Sequence, residues 1–535
     1  MSERLWGDTP LYPFQEESIA MDYLRTQSGG GMIVCWGTGC GKSFFGMHMA
    51  CLLAEDGRDG LLDHDTTVVL CEKGKLSEWV EDFETHTRLS VRKHHGPSRM
   101  KQLAKLGLPD VLVTTYETAK ADLVKFVRPG EGKRGTRIEP GPLFDLIGGT
   151  SVLWLADESA AKLGNRTSDL YKSFDWVFRK QRKLKPTGHR VFGLTATPIE
   201  TGYENAFNQG RLLFPDRMPT VGEFESWMVE SRHPVYGTPK YNQDAVDDFV
   251  QLFRPVIDRR GKTDPDIMAQ FPSKVERAVH VEMGQDQARL YRTIASLQAE
   301  SEDPIPGLFT NLRIVAGHPA ALVLAAKQGE SKLSKMLVEE IGEDELLRIP
   351  SAKEQELLVR LRHVVQEEGE KAVIFTFFGQ TVLPVLAKSL RAKGFKVYEN
   401  HGGLGEHESA ERRHGFRTDP SPCIFLTSDS GARGINLPEA THVYEYEGSL
   451  TYANHVQRID RIHRISSNAP SVTCTTMVLD DTVEEHILAK MLARNEQTDR
   501  LLGEEDSEHF LTAEDRKALF AKPGSRRSRS SLTPA

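Results

Sequence analysis

No apolar run in this 535-residue sequence approaches the length of a membrane span, so no membrane-spanning helix is predicted. Cysteine is scarce: six are scattered along the chain, with no Cys-x-x-Cys pair. That spacing predicts neither a disulfide framework nor a cysteine zinc site, and it suits a reducing, cytosol-like compartment. Met1 to Pro10 mixes acidic and basic residues without an apolar core, so no secretory signal is expected there. An excess of positive charge is missing too. The formal net charge is −8, so any nucleic-acid binding has to come from local basic patches. A hydrophobic share of 39% and a charged share of 27% are ordinary for a soluble globular protein. The length suffices for about two to four domains.

What is present starts with Trp36-Gly37-Thr38-Gly39-Cys40-Gly41-Lys42-Ser43. The apolar run Met32-Ile33-Val34 before it reads as a buried strand, and Phe44 to Leu53 after it reads as a helix. Strand, glycine-rich turn, Lys-Ser and helix make the context of a phosphate-binding loop. Glycines let backbone N–H groups close around phosphate oxygens, and the helix N-terminus adds partial positive charge. Lys42 would reach the β/γ-phosphates of ATP and Ser43 would ligate Mg²⁺. Trp36 departs from the Gly or Ala that usually opens the motif, and Gly37 and Gly39 are expected to supply the flexibility instead. Gln15, about one helix upstream, offers an amide that suits the edge of adenine; the other reading is a surface glutamine.

Strands then alternate with helices, which predicts a parallel, doubly wound sheet with its ligand-binding residues at the strand carboxyl ends. Thr67 to Cys71 and Val111 to Thr115 are two such strands, placing Lys73 and Thr115 at those ends. Lys120 to Pro140 reads as an exposed basic loop. Val152 to Ala156 is an apolar strand ending in Asp157-Glu158-Ser159-Ala160. Asp157 would hold Mg²⁺, and Glu158 would orient and deprotonate the attacking water. Val191 to Pro198 is a further strand, ending in Thr195 and Thr197.

From about Phe214 to Gln270 the alternation fades into amphipathic helices closed by a basic linker, Phe253 to Lys262, suited to phosphate contacts or to solvation. His318 lacks a nearby metal partner and is expected to pack. Strands resume at Lys371–Thr376, Phe395–Glu399, Cys423–Thr427 and His442–Tyr446, making a second α/β lobe without a phosphate loop. It carries Ser428 to Leu437 and then Gln457-Arg458-Ile459-Asp460-Arg461-Ile462-His463-Arg464. The spacing predicts a helix with Gln457, Arg461 and Arg464 on one face, able to neutralise charge on a γ-phosphate in transit. Lys522 to Ala535 is rich in Ser and Arg and is expected to be disordered.

The order Gly39-x-Gly41-Lys42-Ser43, Asp157-Glu158, Thr195-Ala196-Thr197, Ser428 to Leu437 and Gln457 to Arg464 resembles superfamily-two helicases and translocases. Val113 to Glu117, Leu194 to Ile199 and the Asp460 form of the last motif look most like the Swi/Snf-type branch, and the likeness runs from about residue 11 to 490. Asp157-Glu158-Ser159-Ala160 departs from the D-E-A-D and D-E-A-H boxes at its last two positions. The resemblance implies two RecA-like parallel-sheet lobes with a helical insertion and linker between them, ATP in the intervening cleft, and Arg461 and Arg464 as arginine fingers. Residues 1–215 would be the first lobe, 216–345 the insertion and linker, 346–495 the second lobe and 496–535 a polar tail. The loop Gly37, Thr38, Gly39, Cys40, Gly41, Lys42 and Ser43 would bind ATP together with Gln15. DNA would lie along Lys73, Thr115, Thr427 and Arg433, held largely through phosphates.

The expected protein is a DNA-stimulated ATPase that moves along DNA as a monomeric motor in the cytoplasm, or in the nucleus of a eukaryote. Duplex DNA is the favoured track, with single strands as the other possibility. A strand-separating helicase on DNA or RNA is the competing enzyme reading. A catalytically inactive nucleic-acid-binding scaffold is the competing reading of another class, opposed by the presence of Lys42, Ser43, Asp157, Glu158, Arg461 and Arg464.

Overall fold

The computed structural model describes residues 5–7, 9–127, 137–199, 202–232, 239–261, 264–299, 305–432, 435–464, 467 and 469–502. The chain divides into two units. One is Met1–Met268 with Glu496–Glu505, and the other is built on Ala269–Asn495. The expected tail beyond residue 502 lies outside the described residues, as does the tip of the basic Lys120–Pro140 segment.

The strands of the first unit are β1 (Gly30–Trp36), β2 (Thr66–Cys71), β3 (Val91–His94), β4 (Val111–Thr115), β5 (Val124–Val127), β6 (Arg137–Pro140), β7 (Val152–Asp157), β8 (Arg190–Thr195), β9 (Val229–Arg232), β10 (Pro239–Tyr241) and β11 (Ile257–Arg260). Seven of these form one sheet in the order β11-β1-β8-β7-β2-β4-β3, and every pairing in it is parallel. β5–β6 and β9–β10 are separate antiparallel hairpins. Central parallel strands are covered on both faces and so read as unbroken apolar runs. Val152-Leu153-Trp154-Leu155-Ala156-Asp157 is such a run, and all of it is buried. The helix Asp169–Leu184 sets Phe178 against the Trp154 indole at 5.4 Å between ring centres, and the indole N–H donates to Gln181 Oε1 at 2.8 Å. Truncating one such aromatic to Ala costs about 3–5 kcal/mol.

The second unit contains β12 (Ser273–Val281), β13 (Ala372–Thr376), β14 (Val397–Asn400), β15 (Ile424–Ser428), β16 (His442–Glu445) and β17 (Ser471–Leu479). They form an all-parallel sheet in the order β12-β17-β16-β13-β15-β14. Two parallel α/β sheets therefore match the expected fold class.

The 216–345 segment is not a body of its own. Phe224, Met228, Phe249 and Phe253 share the core of the first unit with Trp154, while Leu312, Ile314 and Val315 share that of the second with Ile374 and Leu426. The division falls after Met268. His318 packs as expected, with Nε2 on Glu354 Oε2 at 3.0 Å and Nδ1 accepting from the Ala320 N–H at 3.1 Å.

Candidate nucleotide site and its surroundings

β1 delivers the glycine-rich turn to the start of the helix Lys42–Arg58. Gly39 and Gly41 have φ of 88° and 89°, a region that side-chain-bearing residues avoid. A Cβ on Gly41 would stand 2.3 Å from Gln15 Nε2, so this glycine is also needed for close approach. Gln15 is buried and braces the loop. Its Nε2 donates to Cys40 O at 2.8 Å, and its Oε1 accepts from the Tyr12 N–H at 3.0 Å. Lys42 Nζ donates to Trp36 O at 2.8 Å, which folds the side chain back over the turn.

Trp36 belongs to the core rather than to the loop. Its indole is fully buried, lies edge-on to Phe14 and Phe45, and donates to Asp258 Oδ2 at 2.6 Å. The Gly37 N–H donates to Arg260 O at 2.8 Å. Both anchors come from β11, a strand where the sequence alone predicts a basic linker. Arg259 and Arg260 are not free for phosphate: Arg259 pairs with Asp264 at 2.9 Å, and Arg260 pairs with Glu17 at 2.9 Å and reaches Ser18 Oγ at 2.7 Å. Lys262 lies outside the described residues.

The acids stand at the carboxyl end of β7, two strands from β1 across the sheet, with β8 between them. Two strand spacings are about 10 Å, the scale of a nucleotide's phosphates with their metal. Asp157 Oδ2 accepts from Trp79 Nε1 at 3.2 Å and from Lys75 Nζ at 3.1 Å, and Lys75 lies 3.6 Å from Glu158 Oε1. Burial works against the Lys75 charge, but Asp157 and then Glu158 outweigh it and hold its pKa above the ordinary lysine range. Glu158 has φ of 52°, a left-handed conformation that costs of order 1–3 kcal/mol outside glycine. It turns the chain sharply from β7 into the helix Ser159–Leu163.

Ser159, where the motif departs from the better-known boxes, is buried and donates to Gln209 Oε1 at 3.0 Å. Gln209 Nε2 in turn donates to Pro198 O at 2.8 Å, and Thr195 Oγ1 donates to Thr197 O at 2.8 Å. Gln209 thus ties the acid motif to the Thr195–Pro198 segment. Nothing in the local sequence around Gln209 marks it for this role.

The donor set fits ATP with a divalent cation: helix-terminal amides, one lysine, the Ser43 hydroxyl and a carboxylate at the sheet edge. Lys42 and Ser43 would hold the phosphates and cation on one side, and Asp157 the cation on the other.

In the second unit the helix carrying Gln457 spans Tyr452–Ile459 and stops there. Arg461 and Arg464 lie past its end, correcting the single helix expected through Arg464. The Leu437 N–H donates to Arg461 O at 2.8 Å, and Arg461 Nη1 to Ile435 O at 3.3 Å, so a tertiary bond to the preceding glycine-rich segment draws the chain out of the helix. Arg464 Nε donates to Asp460 O.

Arg458 was passed over in the sequence and is the most heavily engaged of the set. It is buried and donates to both Asp429 oxygens at 2.6 and 2.9 Å, to Glu445 Oε1 at 3.1 Å and to Glu447 O at 2.8 Å. Burial opposes its charge, and Asp429 and Glu445 reverse that and raise its pKa. His455 Nδ1 meets Glu445 Oε2 at 2.7 Å; burial would discharge His455, but Glu445 and Glu276 hold it up to about 10.

Of the residues expected at nucleic acid, Lys73 is exposed on the turn after β2. Around it lie Lys93 and His95, missed in the sequence. Burial first, and then the charges of Lys73 and Lys93, lower His95. Thr115 is buried, and its hydroxyl caps the helix Tyr116–Leu123 by accepting from Thr118 N–H at 3.1 Å. Thr427 is fully buried with its hydroxyl on Ser428 O at 3.1 Å, so its side chain offers nucleic acid no surface in this conformation. Arg433 lies outside the described residues.

A description of the SNF2-related domain matches residues 14–356, and one of the helicase conserved C-terminal domain matches residues 353–466. The chain belongs to the SNF2-related family. Among SNF2-related relatives it is 23% identical over 530 residues to the putative ATP-dependent helicase/translocase YwqA of Bacillus subtilis, covering 95% of this chain and 50% of the relative. It is 27% identical over 489 residues to the Caenorhabditis elegans homolog of a SWI/SNF-related regulator of chromatin, subfamily A containing DEAD/H box 1, covering 81% and 46%. The chain thus spans about half the length of these relatives. Among solved structures, the Pyrococcus furiosus Hef helicase domain shares the fold at a TM-score of 0.50 and 16% identity, covering 88% of this chain and 96% of that one. Among the described residues no helix is long and apolar enough to cross a membrane.

Proposed function

We propose that this chain is a DNA-stimulated ATPase that translocates along duplex DNA, with Mg²⁺ as the cofactor of ATP. The observation that carries this reading is the phosphate-loop geometry and the Asp157-Glu158 pair on one edge of a parallel sheet, in a chain of the SNF2-related family. Lys42 and Ser43 bind the phosphates and cation, Asp157 holds the cation, and Glu158 takes the proton of the attacking water. Gln15 keeps the loop in its binding shape through Cys40 O. Gln457, Arg461 and Arg464 act on the transferred phosphoryl group, the arginines by neutralising its charge. The names of the relatives, a helicase/translocase and a chromatin regulator, support a nucleic-acid track. Exposed Lys73 and Lys93 are the cationic groups for its phosphates, a contact that carries little sequence preference and weakens steeply with salt.

The first test compares ATP turnover with duplex DNA, single-stranded DNA and RNA. Duplex DNA is expected to stimulate most; equal turnover with and without every nucleic acid would leave no track for the motor. The second test separates movement from unwinding. A motor that grips the phosphates of one strand displaces the third strand of a triplex yet leaves a forked duplex largely paired. Efficient fork unwinding without triplex displacement would make the protein a strand-separating helicase instead.

A further inference from the structure

The turn Lys73-Gly74-Lys75 follows β2 and holds two lysines with opposite fates. Lys73 is exposed, on the side where Lys93 adds a second positive charge and, with Lys73 and burial, holds His95 toward its neutral form. Lys75 turns the other way, and its ammonium lies 3.1 Å from Asp157 Oδ2 and 3.6 Å from Glu158 Oε1. These are the two carboxylates that the reaction assigns to the cation and to the attacking water. An ammonium in that position offsets half of the charge that a divalent cation would neutralise on the two acids. Two positive charges about 4 Å apart repel strongly where water is partly excluded, so lysine and cation do not share the acids without cost. Trp79 Nε1 holds Asp157 Oδ2 independently at 3.2 Å, and the Tyr116 hydroxyl donates to Asp157 O at 2.7 Å. The neutral Trp79 indole thus keeps a hold on the carboxylate, and Tyr116 on the Asp157 backbone, without the Lys75 charge.

We propose that Lys75 is an internal counter-ion that competes with Mg²⁺ for Asp157 and Glu158 and so holds down ATP turnover until nucleic acid binds the same turn. The track of phosphates at Lys73 offers the Lys75 ammonium an alternative anion only two residues along the chain. Drawing Lys75 off the acids frees Asp157 for the cation and Glu158 for water. DNA stimulation then follows from one short turn that touches both the track and the catalytic acids. This inference rests on the ATPase reading above.

The test uses the full chain carrying Lys75→Met, which keeps the stem and removes the charge, beside Lys75→Arg, which keeps the charge. Two quantities are read: turnover without DNA, and the Mg²⁺ concentration at which ADP binding is half-maximally tightened. Lys75→Met should raise DNA-free turnover about fivefold and lower the Mg²⁺ midpoint about fivefold, the effect of one partly exposed ion pair. Its ratio of DNA-stimulated to DNA-free turnover should fall accordingly, and Lys75→Arg should stay near the wild type in both readouts. An unchanged Mg²⁺ midpoint in Lys75→Met overturns the proposal, and so does DNA-free turnover that stays level or drops. If the wild type itself showed no stimulation by DNA, the functional reading would fail, while the Mg²⁺ midpoint would still report whether Lys75 competes for the acids.

Discussion

Glu158→Gln should bind ATP with Mg²⁺ about as well as the wild type and hydrolyse it some 10²–10⁴-fold more slowly, the usual worth of a general base. The substitution is nearly isosteric, so the left-handed turn at φ 52° carries the same strain and the β7-to-helix corner keeps its shape. What changes is basicity: an amide cannot accept the proton of water. Lys42→Ala fails differently. It removes the ammonium that now rests on Trp36 O at 2.8 Å, and with it the charge that meets the phosphates. Its ATP affinity should fall together with turnover. Equilibrium binding of a fluorescent ATP analogue, measured beside phosphate release, separates the two variants. Wild-type turnover in Glu158→Gln would remove Glu158 from the chemistry.

Where the motif is contiguous, its placement was readable. The structure puts Lys42 and Ser43 at a helix start after the glycine-rich turn, and Asp157 and Glu158 at the end of an apolar strand, as the local pattern predicts. What stayed hidden depends on partners far along the chain. Arg259 and Arg260 look like a solvated linker until Glu17, Ser18 and β1 stand beside them. β12 stands at the end of its sheet with most of its residues exposed, so it lacks an apolar run, and β17 hides its strand character because its buried threonines find polar partners. Lys274 pairs with Glu276, Arg277 Nε donates to Thr475 Oγ1 at 3.1 Å, and Thr476 Oγ1 donates to Glu445 Oε2 at 2.8 Å. The helix expected through Arg464 has a sound periodicity, but the Leu437–Arg461 bond outweighs local propensity after Ile459. Thr115 and Thr427 were placed correctly at strand ends, yet strand position does not reveal that both hydroxyls are turned inward.

The arginines of the Gln457–Arg464 segment should separate into two classes. Arg458→Ala should destabilise the second unit by about 3–5 kcal/mol, because it leaves Asp429 without its two-pronged partner and Glu445 with one of its two cationic partners gone. Glu445 is fully buried and cannot recover the loss from water. Burial alone would raise its pKa, while His455 and then Arg458 hold it down to about 2. With Arg458 removed, His455 and the Thr476 hydroxyl are left to offset the desolvation. Arg458→Lys keeps the charge but cannot reach two Asp429 oxygens, Glu445 and Glu447 O at once, so it should rescue only part of the stability. Arg461 and Arg464 are only half-buried, where Arg458 is buried, and their guanidinium groups donate to the neutral carbonyls Ile435 O and Asp460 O. Arg461→Ala and Arg464→Ala should therefore unfold within about 1 kcal/mol of the wild type, as most substitutions of such side chains do. Both should nevertheless lose about 10³-fold in ATP turnover, the scale of an arginine that meets the transferred phosphoryl group. Urea unfolding and steady-state phosphate release, run on all four variants, read the two classes side by side. Normal turnover in both Arg461→Ala and Arg464→Ala would take the phosphoryl role away from them, and wild-type stability in Arg458→Ala would mean that its carboxylate partners protonate or find water at little cost.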